Sequence, residues 1–281
     1  MKNRTAGGSD EFDGRLVVAA TMAVIAGSLM IAAVVMTCVS PAAAVKIKAA
    51  CMSGIYRKSE RPAVVIDPGH GGIDGGAVSA DGVSEKDINL DIGIYIRDYL
   101  AKYSVDTYMT RETDRGVYKG AYGDEIRGPG GGRKRSIRSL KVEDLKNRRK
   151  LAEDICPDAF VSIHLNSYKE DRSVSGAQVF YSAGADSNQG TLSRNLAEKI
   201  QSRVALLREG GRERTPLEKN SVAVLESTPY PAVILECGFL SNREEAELLQ
   251  SDEYKREIAK AVSEAIADFL RLEERIKTVE S

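Results

Sequence analysis

The sequence predicts an α/β domain with a mostly parallel, twisted sheet and helices on both faces, preceded by an N-terminal membrane anchor or signal segment. Short apolar runs typical of buried strands alternate along the chain with segments whose apolar residues recur every three or four positions. Strands that alternate with helices favour a parallel sheet covered on both sides. A separate, uncharged apolar run, Leu16–Val39, lies close to the N-terminus.

The first half of the domain supplies two strands and one helix. Ala63–Ile66 is apolar throughout and is ended by Asp67-Pro68-Gly69, which is typical of a buried strand followed by a turn. Ser84–Lys102 has apolar residues at helical spacing, and Val105–Met109 is the next predicted strand.

The second half continues the alternation. The predicted helices are Leu140–Ile155, Leu192–Leu207 and Tyr254–Phe269, each with apolar residues three or four positions apart. The predicted strands are Ala159–His164, Ala177–Tyr181 and Pro231–Leu235. Because the carboxyl ends of parallel strands share one edge of the sheet, we expect the functional residues there.

Composition and charge restrict the class of protein. Of 281 residues, 42% are hydrophobic, which excludes a disordered chain. Lys and Arg number 40 against 41 Asp and Glu, and this near-neutral balance argues against a nucleic-acid partner.

The N-terminal apolar run predicts the domain organisation. As a helix, Leu16–Val39 would reach about 36 Å, enough to cross a hydrocarbon core of about 30 Å. An uncleaved anchor is favoured, and a signal segment cleaved near Ala44 or a buried core helix are the alternatives. We therefore expect a tail at 1–15, the anchor or signal segment at 16–39, a linker at 40–61 and the folded domain at 62–281.

One segment interrupts the pattern. Residues 116–138 have no hydrophobic period and contain a run of glycines followed by basic residues. The segment is interpreted either as a solvated insertion or as a basic flap that contacts an anionic polymer or a membrane surface.

The two histidines of the chain both follow predicted strands. His70 lies in the glycine-rich loop after the first strand, and His164 ends the strand Ala159–His164. Parallel strands would bring both to one crevice, where two imidazoles and a third ligand could hold zinc. Glu85, at the start of the first helix, is the candidate third ligand. Asp87 as the ligand, and Glu85 as an acid that only favours the helix dipole, are the alternatives.

A second acidic residue is the candidate catalytic group. Glu236 follows the apolar strand Pro231–Leu235, and a carboxylate there is costly unless it is paired or acts on a ligand. It could serve as the general base of a metal-assisted amide hydrolysis, or only as a cap or salt-bridge partner. Cys237 as a nucleophile is the third alternative, but it needs a histidine that the metal would occupy.

Four motifs together resemble a known family. In chain order they are VVIDPGHGGIDGGA, SEKDINL, VSIHLNS and VILECGFLSN. They are similar to the zinc-dependent N-acetylmuramoyl-L-alanine amidases of the type 3 class, over about Ala63 to Leu270. The resemblance implies a six-stranded sheet, zinc bound by His70, Glu85 and His164, and Glu236 as catalytic acid/base.

Further segments refine the resemblance. TRETD, RSLKVEDLKNRRKLAE and SGAQVFYS resemble the germination-specific, membrane-anchored amidases of spore-forming bacteria. This implies cleavage of the bond between N-acetylmuramic acid and L-alanine in cortex peptidoglycan. A zinc hydrolase of another amide and a catalytically silent peptidoglycan-binding module are the alternatives.

The implied substrate also predicts the location. Peptidoglycan lies outside the cytoplasmic membrane, so we expect an extracytoplasmic domain that is anchored, with the forespore membrane as one candidate, or secreted. The Lys and Arg count around Leu16–Val39 favours the opposite orientation, but large domains are translocated with little regard to charge. The expected partners are peptidoglycan, the membrane and an activating protein of unknown identity.

Overall fold

The computed structural model describes residues 61–118, 136–182, 187–207, 214–219, 222–226 and 228–272. The chain divides into two units, Met1–Tyr56 and Arg57–Ser281, and every described residue belongs to the second. The predicted tail, the predicted anchor and all but one residue of the predicted linker lie outside the described residues, as does most of the insertion at 116–138. Within the described ranges, no helix is both long and apolar enough to span a bilayer.

Six strands form one mixed sheet in the order β2-β1-β3-β6-β4-β5. The strands are β1 (Ala63–Pro68), β2 (Asp106–Met109), β3 (Ala159–Asn166), β4 (Gln178–Tyr181), β5 (Leu217–Glu218) and β6 (Ala232–Phe239). The helices are α1 (Glu85–Leu100), α2 (Ile137–Ile155), α3 (Ser187–Ala205), α4 (Arg243–Gln250) and α5 (Asp252–Phe269).

The predicted α/β class and the mostly parallel sheet are confirmed. β1 pairs in parallel with β2 and β3, and β3 pairs in parallel with β6. The exception is β4, which runs antiparallel to β6. The connection from β3 to β4 contains no helix to carry the chain back across the sheet, so β4 enters from the same edge that β3 leaves.

Helices cover both faces of the sheet, as predicted. On one face, α1, α3 and α5 bury a large apolar cluster that includes Ile66, Ile92 and Val262. On the other face, a smaller cluster around Phe160 joins α2 to residues 222–226. These two layers leave the carboxyl edge of the parallel strands for the functional side chains.

Two element boundaries differ from the sequence prediction in ways that affect the site. α2 begins at Ile137, inside the segment predicted as an insertion, because the Ser136 side chain caps its first turn. β6 continues to Phe239, so Glu236 lies within the strand and not at its end. The prediction that Glu236 follows its strand was therefore wrong.

Two buried arginines hold the backbone where β1 ends. Arg111 donates to the carbonyl oxygens of residues 68 and 69, both at 2.9 Å. Arg148, on α2, donates to the carbonyl of residue 68 at 2.7 Å and to that of residue 70. Both arginines are only 1% exposed, so these carbonyls are satisfied without water.

Asp67 supplies the counter-charge. Its carboxylate lies 2.7 Å from Arg148 Nη1 and accepts hydrogen bonds from Thr110 Oγ1 and Ser162 Oγ. Burial alone would raise the pKa of Asp67, but the Arg148 charge and these hydrogen bonds outweigh it and lower the pKa. The pair therefore stays ionised inside the protein.

We predict that Asp67→Asn destabilises the domain by about 3–5 kcal/mol, because it leaves Arg148 buried without its main counter-charge. The lowered pKa of Asp67 means that its contribution is present above the unfolded-state pKa of about 3.9 and is lost as the pH falls through the folded-state pKa. Urea unfolding at several pH values measures both effects. Asp154→Asn, which removes an exposed partner of Lys150, is the control and should change little. A loss below about 1 kcal/mol for Asp67→Asn would contradict the assigned role of the pair.

Candidate metal centre

The two histidines meet at the carboxyl edge of the sheet. β1 and β3 are parallel neighbours, so His70, two residues beyond β1, and His164, near the end of β3, face the same space. Their rings are 4.9 Å apart between centroids and lie at 79° to each other. Both side chains are 23% exposed, so a ligand can reach them.

Glu85 lies between the two rings. Its Oε1 is 3.0 Å from His164 Nδ1 and 3.2 Å from His70 Nε2. One ligand atom from each of the three residues lies within 4.8 Å of the others. Asp87, the alternative ligand, is exposed and outside this group. Of the two candidates, the structure therefore brings Glu85 to the histidines.

Backbone hydrogen bonds fix the direction of the Glu85 carboxylate. Oε1 accepts from the Leu165 N–H at 2.9 Å, and Oε2 accepts from the Ala77 N–H at 2.8 Å. The side chain of Glu85 is almost fully buried. Gly76 makes this approach possible, because a Cβ there would lie 2.5 Å from Glu85 Oε2.

Asp74 orients the His70 ring from its other side. His70 Nδ1 lies 3.0 Å from Asp74 Oδ2, and Lys141 of α2 binds the second oxygen of Asp74 at 2.7 Å. Donation from Nδ1 to this carboxylate leaves Nε2, the atom that faces Glu85, available as a ligand. Sequence analysis did not identify Asp74 or Lys141, although an acid inside the glycine-rich motif is a usable signal.

The electrostatics of the centre favour a positive charge between the side chains. Burial alone would lower the pKa of His70, but hydrogen bonds and charges from Asp74 and Glu85 raise it to about 9. Burial of Glu85 is likewise outweighed by its contacts with both histidines, which lower its pKa. The positive charge can come from protons or from a divalent cation.

Glu236 stands beside this group on the next strand. It pairs with His164 in the register between β3 and β6. Its Oε2 is buried and has no hydrogen-bond partner among the residues that the structure describes, and burial raises the pKa of the carboxyl group. Burial also raises the pKa of the neighbouring Cys237 thiol well above its ordinary value. The thiol therefore stays protonated, which disfavours the nucleophile alternative.

The donor set fits zinc. Two imidazole nitrogens and one carboxylate oxygen are the ligand types of catalytic zinc sites, which keep a further position for water. Glu236, which pairs with His164 across the two strands, adds a carboxylate whose Oε2 has no hydrogen-bond partner among the described residues.

Fold and site together define an α/β domain with a candidate three-residue metal centre at the carboxyl edge of its sheet. The chain belongs to the N-acetylmuramoyl-L-alanine amidase family, which it matches over residues 64–268. The family resemblance identified from the four sequence motifs is thereby confirmed.

Individual relatives agree with this assignment. The germination-specific N-acetylmuramoyl-L-alanine amidase of Bacillus subtilis is 33% identical over 205 residues, which cover 72% of this chain and 77% of that protein. Among solved structures, the CwlD amidase of Clostridioides difficile, in complex with the GerS lipoprotein, is similar with a TM-score of 0.66. It is 32% identical, and the match covers 75% of this chain and 99% of that one. The amidase AmiC2 of Nostoc punctiforme is 28% identical, with a TM-score of 0.60 and coverage of 76% and 99%.

We predict that Gly76→Ala disrupts the centre more than Gly82→Ala does. Both glycines have positive φ angles, 69° and 86°, so each substitution carries a backbone strain of about 1–2 kcal/mol. Only at position 76 does the new methyl group also collide, with Glu85 and His70, whereas position 82 faces open space. Denaturant unfolding and the imidazole NMR signals of the two histidines measure the difference. Equal effects of the two substitutions would show that the close contact of Gly76 with Glu85 and His70 does not contribute to the centre.

Proposed function

We propose that this protein is a zinc-dependent hydrolase that cleaves the amide bond between N-acetylmuramic acid and L-alanine in peptidoglycan. The observation that carries the proposal is the grouping of His70, Glu85 and His164 beside Glu236, whose buried Oε2 has no hydrogen-bond partner in the described part of the chain. Membership of the amidase family supports the substrate and the bond.

The proposed mechanism assigns a separate role to each group. His70, Glu85 and His164 would hold the metal ion, with Asp74 and the Leu165 amide keeping the ligands oriented. Bound zinc supplies Lewis-acid polarisation of the amide carbonyl and makes water more acidic. Glu236 accepts a proton from the attacking water at its free oxygen and then gives it to the leaving amine of L-alanine. The products are a free lactyl carboxyl group on the glycan and a released peptide.

We further propose a role in spore cortex peptidoglycan. The germination-specific amidase of B. subtilis is among the most similar curated relatives, and the match covers most of its length. Removal of peptides would leave bare muramic acid residues for later conversion to the δ-lactam. The CwlD structure contains the GerS lipoprotein, which supports an extracytoplasmic protein partner for this chain as well.

We place the domain, residues 62–281, outside the cytoplasmic membrane, held by the segment Leu16–Val39 or released after cleavage near Ala44. The substrate supports this location, since peptidoglycan lies beyond the membrane.

Digestion of purified peptidoglycan by the full-length protein with zinc should release stem peptides and leave glycan strands with free lactyl groups. Mass spectrometry of the products identifies the bond that was cut. Cleavage elsewhere, or of a different amide only, would favour another zinc hydrolase. Binding without cleavage would favour a silent peptidoglycan-binding module.

Glu85→Ala and Glu236→Gln should lose different properties of the enzyme, the first its zinc and the second its turnover. Glu85→Ala removes a proposed ligand, so zinc content should fall from about one equivalent per chain. Glu236→Gln should keep zinc and lose at least a hundredfold in turnover, because only the proton carrier is removed. Metal analysis and peptide-release kinetics measure the two effects. Near-normal turnover of Glu236→Gln would refute its role, and zinc loss in that variant alone would mean that the two roles are exchanged.

Protease added to intact protoplasts should digest the domain and spare a short N-terminal fragment. The expected result follows from an anchor that spans the membrane once and leaves the domain outside. Immunoblotting with antibodies against each end of the chain distinguishes the fragments. A domain that is protected until the membrane is broken would overturn both the topology and the substrate assignment.

A further inference from the structure

A groove with a volume of about 880 Å³ lies at the same edge of the sheet as the candidate metal centre. Two loops, at residues 78–81 and 167–175, and the turn into α4 with its first residues, at 240–246, form its walls. We propose that this groove binds the charged stem peptide of the substrate, with its free carboxylates on Lys169 and Arg172. The proposal rests on the amidase function and adds the orientation of the substrate, with the peptide half in the groove.

Each wall of the groove is close in sequence to a residue of the candidate metal centre or to one of its partners. Val78, on one wall, directly follows Ala77, whose N–H binds the Glu85 carboxylate. On the second wall, Ser167 lies three residues beyond His164, and on the third, Leu240 lies four residues beyond Glu236. The groove therefore lies at the same edge of the sheet as the centre, and a peptide bound at the centre can extend towards it.

The second and third walls are tied to each other. The Tyr168 N–H donates to Ser241 Oγ at 2.8 Å, and Asn242 Nδ2 donates to the Arg172 carbonyl at 3.0 Å. Below them, the buried Glu245 carboxylate accepts from the N–H groups of Gly176 and Phe239, at 2.9 and 2.7 Å. Because these bonds cross between the loops, the groove is formed before a ligand arrives, which reduces the entropy cost of binding.

The cations of the groove are available to a ligand. Lys169 and Arg172 line it, are exposed, and have no ion-pair partner in the described part of the chain. The third lining cation, Arg243, is instead paired with Glu247 at 3.1 Å. The walls also carry two acids, Asp81 and Glu244, so the groove presents charges of both signs.

The substrate carries its charges on one side of the bond that is cut. The glycan half consists of N-acetylated sugars, and its lactyl carboxyl group is neutral because it forms the amide. The peptide half carries the free carboxylates and, where a diamino acid is present, an ammonium group. The unpaired cations can bind the carboxylates of the peptide half, and the two acids can bind its ammonium group. A neutral glycan has no charges for these side chains to bind.

The test measures binding of a free stem tetrapeptide, L-Ala-γ-D-Glu-diaminopimelate-D-Ala, by NMR titration of the full-length, zinc-loaded protein. Lys169→Gln/Arg172→Gln should weaken binding about tenfold, since each exposed ion pair contributes up to about fivefold. The same variant should bind this peptide no better than one with amidated carboxyl groups. Its affinity for the free-acid peptide should also change little with salt concentration. Lys260→Gln/Arg194→Gln is the matched control. It removes two exposed cations from helices that do not line the groove and should bind like the unmodified protein.

The outcomes separate this proposal from the amidase function. Charge-dependent peptide binding by a protein that cleaves no muropeptide would support the groove and refute the enzyme assignment. Normal cleavage with equal binding by both double variants, or with no binding of the free-acid peptide at millimolar concentration, would refute the groove and leave the amidase function standing.

Discussion

Two buried guanidinium groups hold the backbone at the carboxyl end of β1, and this backbone positions His70 in the candidate metal centre. After Pro68 the chain leaves the sheet, so its carbonyl groups need new partners inside the protein. Arg111 and Arg148 provide them. His70 has a φ angle of 61°, which is unfavourable for a residue with a side chain and persists only where the surroundings enforce it. Its ring reaches Glu85 because its backbone is held in this way.

Helix α2 and the centre stabilise each other. Only three residues of α2 are fully buried, and one of them is Arg148. The apolar side chains of Ile137, Val142 and Leu145 face solvent, so apolar packing alone does not determine the position of the helix. Polar contacts at Arg148 and Lys141 supply much of the remaining attachment, and both lead to His70 or to its partner Asp74.

The sequence predicts the candidate site best where a rare residue type marks it. Two histidines after two apolar strands predicted the centre because parallel strands end at one edge. β5 has only two residues, which is too few for a recognisable pattern. α4 has eight residues and begins where Asn242 Oδ1 accepts a hydrogen bond from the Glu245 N–H, a cap that apolar spacing does not reveal. Arg148 resembled its exposed basic neighbours along α2. Its role depends on Asp67, which is distant in sequence, and no local pattern can reveal such a partner.

The segment at 119–135 enters and leaves the domain at two points that are fastened to each other. Just before it, Val117 donates its N–H to Asp144 and accepts from Asn147 Nδ2 at 2.7 Å, and both partners belong to the helix that follows. The entropy of closing a loop grows only slowly with its length. The two attachment points therefore do not depend on the length of the chain between them, and a change of that length alters the entropy of closure only slightly.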